Sequence, residues 1–143
     1  MGTPAPNLEE VARRIVQHEA GGLSDPAASA AAVERACAGL KDDLADLLGA
    51  GGVAALFRRA LHLAQRDYPV LAGVSASTGP AVCFAGLAEA LAAGTDDGAA
   101  AASAGLLAHL LGLLVTLLGE ELGMQPVHKL WPQMASSGTE IDE

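Results

Sequence analysis

Residues 98–123 read GAAAASAGLLAHLLGLLVTLLGEELG. Glycine returns every seven residues, at Gly98, Gly105, Gly112 and Gly119, and Ala102, His109, Thr116 and Gly123 hold the interleaved heptad positions. The remainder is mostly leucine and alanine, strong helix formers, and predicts one helix over 97–122. On a helical wheel this helix has two faces. Gly105, His109, Gly112, Thr116 and Gly119, with Ala102 and Gly123, make a small face; Leu107, Leu110, Leu111, Leu114 and Leu118 lie opposite. Each interior glycine costs about 1 kcal/mol against alanine. A row of them therefore predicts that another backbone, or a ligand, comes close. Asp96 and Asp97 suit the N-terminal end, where the helix dipole favours negative charge.

A helix apolar all round is the centre of a bundle or a membrane span. Residues 98–119 carry no Asp, Glu, Lys or Arg and meet the length of about 20 residues that a bilayer needs. Against a span, both flanks are acidic (Asp96, Asp97; Glu120, Glu121), and no Trp or Tyr stands at either immediate boundary. The alanine-rich first half also inserts weakly. The soluble reading is therefore favoured over a single-span membrane protein.

The rest of the chain supplies the covering layer. Leu8, Val11, Ala12, Ile15 and Val16 form one stripe of a helix over 8–20, with Asn7 as N-cap, Glu10 as its capping-box partner and Gly21-Gly22 as its end. Asp25-Pro26 opens a second helix with proline at its first position. Its apolar steps are Val33, Cys37, Leu40, Leu44 and Leu47, and Gly49 is its predicted stop. A third helix runs from about Gly52 to Asp67, ended by Pro69. It is sharply amphipathic: Val53, Leu56, Phe57, Ala60, Leu61, Leu63 and Ala64 against Arg58, Arg59, His62, Gln65 and Arg66. Residues 68–79 read as a loop with a turn of helix. A fourth helix is predicted near Pro80, capped by Thr78 or Gly79, and Gly94–Gly98 is a turn before the final long helix. Pro126 opens a short closing turn through Leu130 and Trp131. The polar stretch 136–143 reads as a disordered tail behind a single helical domain over 1–135.

Composition narrows the function classes. The 143 residues are 51% hydrophobic but only 3% aromatic, so the core is Leu, Ala and Val, and strand-like β-branched runs are absent. The net charge of −9 excludes the basic footprint of a nucleic-acid binder. Cys37 and Cys83 read as buried free thiols of a cytoplasmic protein. The start, MGTPAPNLEE, has no signal-peptide pattern, and Pro6 spoils a myristoylation motif at Gly2.

Three features remain as candidate sites. The small face, Gly105 to Gly119, reads first as a crossing within the bundle, then as a two-fold dimer seam or the bed of an apolar ligand. His109 reads as a core histidine bonded to a neighbouring carbonyl. Glu120 lies about 16 Å from it by helical rise and cannot share an ion with it. Arg58, His62 and Arg66, spaced i, i+4, i+8 with Arg59 beside them, make a basic face in an acidic chain. Its plainer role is salt bridging to Asp42, Asp43 or Asp46; its functional role is to receive an acidic partner or phosphate. His62 has the amphipathic setting of a phosphoacceptor, but RALHLAQRD lacks the Lys and Gly that follow the histidine in phosphotransfer domains. No GxSxG, P-loop, HExxH or CxxC pair is present. The sequence thus points to no catalytic residue, metal or cofactor.

The segment LLGLLVTLLGEELGMQPVHKLWP, residues 110–132, resembles the end of a group of short, uncharacterised bacterial helical proteins: a leucine run, a Gly-acidic stop and a closing Trp-Pro. RRALHLAQRDYPVLAGV, residues 58–74, fits the same group. The resemblance covers under half of the chain and implies a soluble bacterial helical bundle without an activity. One departure is that Gly123–Pro126 is expected to break a helix that otherwise continues to Trp131. The reading is an all-α bundle of four or five main helices, a non-catalytic adaptor or regulatory module, and a homodimer.

Overall fold

The computed structural model describes residues 8–22, 25–76 and 83–131. The element order is α1 (Leu8–Glu19), α2 (Pro26–Asp67), a 3-10 turn (Pro69–Leu71), β1 (Ser75–Ala76), β2 (Phe84–Ala85), α3 (Leu87–Ala92), α4 (Asp96–Leu118) and α5 (Glu120–Leu130). The fold is all-α. Among the described residues its strands are one antiparallel two-residue pair, Ser75 opposite Ala85 and Ala76 opposite Phe84.

The alanine- and leucine-rich stretch forms the central helix, α4, which packs against α1, α2, α3 and α5. Leu106, Leu107, Leu110, Leu111 and Leu114 are fully buried, and so is Ala102 on the opposite face. Burying a leucine side chain stabilises by roughly 1.5–3 kcal/mol, so this helix and α2, which buries Leu40, Leu44, Leu56, Phe57 and Leu61, supply most of the core. Thr95 caps it by accepting the Gly98 N–H at 2.9 Å. The helix is shorter than 97–122. At Gly119 the backbone turns to φ 89°, ψ 162°, outside helical space and favourable only for glycine, and α5 starts anew at Glu120. The break thus falls four residues before Gly123–Pro126. Pro126 lies inside α5 and opens no turn.

The helices expected over 26–48 and 52–67 form one 42-residue element bent at Gly49, whose φ of 75° and ψ of 164° are non-helical. The predicted stop is therefore a kink. Asp25 precedes Pro26 with extended backbone, and its carbonyl accepts the Ser29 N–H at 3.0 Å, which starts the helix. At the far end, Tyr68 donates its N–H to Ala64, and Pro69 enforces the exit. Gln65 then holds the loop: its Nε2 donates to the carbonyls of Leu71 (3.0 Å) and Val74 (2.9 Å).

The fourth predicted helix is corrected. Its caps Thr78 and Gly79, like Asn7 and the tail 136–143, lie outside the described residues. Where helix was expected, Phe84–Ala85 is extended, and α3 begins only at Leu87 after Gly86. Glu34 on α2 explains the extension. Its two carboxylate oxygens accept the N–H groups of Cys83 (2.7 Å) and Phe84 (2.9 Å), which makes a local helix unnecessary for those donors. Phe84 also stacks on Phe57, ring centroids 5.7 Å apart. At the C-terminal end, buried Trp131 donates its indole N–H to Glu19 at 2.9 Å, tying α5 to α1.

Candidate functional site

The four ladder glycines and Gly123 sit in five different surroundings. A Cβ on Gly98 would stand 3.0 Å from Thr95 Oγ1, so this glycine makes room for the cap. A Cβ on Gly105 would stand 2.1 Å from Tyr68 Cε2, because the tyrosine ring lies directly on the helix backbone. At Gly112 the nearest atom is Leu8 Cδ1 at 3.8 Å, an ordinary contact. Gly119 is the kink. At Gly123 a Cβ would meet Leu114 O and Val115 Cα, both at 2.8 Å, because α5 doubles back against the last turns of α4. The close backbone approach expected from the ladder therefore occurs within the chain, at Gly123, and an aromatic ring takes the place at Gly105. Thr116 is exposed and returns its hydroxyl to the Gly112 carbonyl at 2.8 Å.

His109 is not a core histidine bonded to a carbonyl. Its side chain is 30% exposed and its Nε2 lies 2.9 Å from Asp67 Oδ2, at the end of α2. The crossing of α4 over the end of α2 brings it there, forty-two positions from its partner in sequence. Asp67, Tyr68 and Glu9 escaped the sequence reading. Together with Leu8, Gly105, Ala108 and His109 they line a cleft of about 360 Å³. Burial, then the charges of Glu9 and Asp67, raise the Tyr68 phenol above its ordinary value. The only advance signal was that the sole tyrosine immediately precedes a helix-ending proline.

Arg58, Arg59, His62 and Arg66 are exposed on one face of the second half of α2. Salt bridging to the preceding acids was the plainer expectation, and the geometry differs. Asp43 accepts from Lys129 of α5 at 2.7 Å, and that bond raises the lysine pKa. Among the described residues, none of the four basic side chains has an ion-pair or hydrogen-bond partner. The kink at Gly49 separates them from the acidic half of the helix. Other arginines are engaged: Arg13 and Arg14 on Glu10 at 2.9 and 3.1 Å, and Arg35 on the Glu19 carboxylate and carbonyl.

Cys37 and Cys83 are free and buried. Burial is the first cause that pushes both thiols up, Cys83 to about 11. Neither has the thiolate character of a nucleophile. Comparison with protein-family models, curated proteins and solved structures finds no match.

Proposed function

We propose that this chain is a non-catalytic helical adaptor that receives an acidic protein segment on Arg58, Arg59, His62 and Arg66. The observation that carries this reading is the freedom of that face. In a chain of net charge −9, cations are scarce, and these lie side by side without partners among the described residues. Arginine forks bind carboxylates in bidentate geometry, so the face favours a segment rich in Asp and Glu. The test is binding of a fluorescent poly-glutamate peptide. Binding should weaken steeply with salt and disappear in Arg58→Glu/Arg66→Glu, whose thermal midpoint stays at the wild-type value. Undiminished binding by that folded variant overturns the assignment of the face.

The reading includes a cytoplasmic homodimer. Asp97–Leu118 and part of Pro26–Asp67 are apolar and long enough to cross a membrane. The packing of α4 by four other helices favours its role as a core helix. Leu47 and Leu122, 56% and 47% exposed, line a cleft of about 610 Å³ between α2 and α5. Asp43 and Asp46 edge it on one side, His128 and Lys129 on the other. Asp43 and Lys129 already pair with each other there, so the drive for a second copy on a two-fold axis is cover for the two leucines. Sedimentation should give a dimer that Leu122→Glu dissociates. A wild-type monomer at high micromolar concentration, or a dimer indifferent to Leu122→Glu, rejects this seam.

A further inference from the structure

The cleft beside Gly105 is distinct from the basic face and carries the opposite charge. Among the described residues its polar lining is Glu9, Asp67, Tyr68 and His109, with no Lys or Arg. The donor and acceptor inventory is one-sided. Asp67 uses Oδ2 toward His109 Nε2 and keeps Oδ1. Glu9 is exposed and offers carboxylate oxygens. Tyr68 supplies a hydroxyl that can accept as well as donate. The two carboxylates thus set the demand, and a ligand that satisfies them is positively charged and carries N–H donors.

Geometry selects the kind of cation. Among the described residues, no three His, Cys, Asp or Glu side chains converge closely enough to hold a metal ion. An organic cation suits the space better than a metal ion, and about 360 Å³ admits a few carbon atoms between two amino groups. The Tyr68 ring forms one wall and rests on the Gly105 backbone, where a methyl group has no room unless the ring moves. We infer that this cleft, formed by Glu9, Asp67, Tyr68 and His109, binds a small aliphatic amine of the diamine class, its ammonium groups on the two carboxylates.

The experiment is a titration of the full chain with 1,4-diaminobutane at constant ionic strength, followed by calorimetry and by the NMR signals of Tyr68 and His109. Saturable binding with shifts at both rings is expected, and succinate should give neither. Glu9→Gln/Asp67→Asn should weaken binding about tenfold or more, the loss appropriate to charge-assisted contacts. Both positions are solvent-exposed, and an unchanged melting curve verifies the fold. Tyr68→Phe keeps the packing on Gly105 and tests the hydroxyl alone. Absence of saturation, equal response to sodium ion, or unaltered affinity in the folded double variant overturns the inference.

Discussion

The ring of Tyr68 lies on the bare backbone of Gly105, so close that a Cβ there would fall 2.1 Å from Cε2. This contact joins the end of α2 to the middle of α4, and it makes Gly105 intolerant of a side chain where Gly112 is not. Gly105→Ala should therefore destabilise the protein by about 1–3 kcal/mol, the range for overpacking. Gly112→Ala, which meets only Leu8 at 3.8 Å, should be neutral or stabilising by up to about 1 kcal/mol through helix propensity. Urea unfolding of the two variants distinguishes them. Equal effects would mean that the ring is not seated as described.

Gly123→Ala meets backbone atoms of Leu114 and Val115 at 2.8 Å. A tyrosine ring can swing away; a helix backbone cannot. The expected loss is about 3 kcal/mol, at the upper end of the overpacking range, and α5 amides should lose hydrogen-exchange protection before those of α2.

Removing Glu34 leaves the amides of Cys83 and Phe84 without their acceptors. Glu34→Ala should cost about 1–3 kcal/mol, the price of orphaned donors, and increase exchange at both amides. Glu34→Gln should recover part of this, because its amide retains one oxygen.

Ser103 is fully buried in α4, and its hydroxyl has no hydrogen-bond partner among the described residues. Ser103→Ala removes an unsatisfied polar group and improves helix propensity, so stability should rise by about 1 kcal/mol. Thermal unfolding checks the sign.

Cys83 gives a pH dependence. Its folded pKa is about 11, against 9.0 for an ordinary thiol, chiefly because the thiolate is desolvated. The folded state therefore holds the proton that the unfolded state releases first. Its contribution is fully present below pH 9 and is lost as pH rises toward 11. Cys83→Ala should flatten that part of the stability profile. Iodoacetamide should label native protein at neutral pH far more slowly than unfolded protein.

Much of the architecture was legible locally. Amphipathic stripes placed α1 and both halves of α2, Asp25-Pro26 marked a start, and Pro69 an end. The helical period carries that information within a few turns. The stretch before α3 was misread because the reason for its extended backbone is Glu34, about fifty positions earlier. The candidate sites divide in the same way. The basic face is written in the spacing of Arg58, His62 and Arg66 along one helix. The amine cleft depends on Glu9, Asp67, Tyr68 and His109 converging from three helices, and no local pattern announces it.

Residues 98–123 show where the boundary lies. By itself the sequence determined that this stretch is helical, apolar on both sides and unusually narrow along one of them, since propensity and periodicity are properties of neighbours in the chain. What meets the narrow side was decided by tertiary structure: a threonine cap at Gly98, an aromatic ring at Gly105, a leucine at Gly112, a bend at Gly119 and, for Gly123 on α5, the backbone of α4. The missing Cβ is the same at every position. Its consequence is set by the element that the fold brings within van der Waals reach.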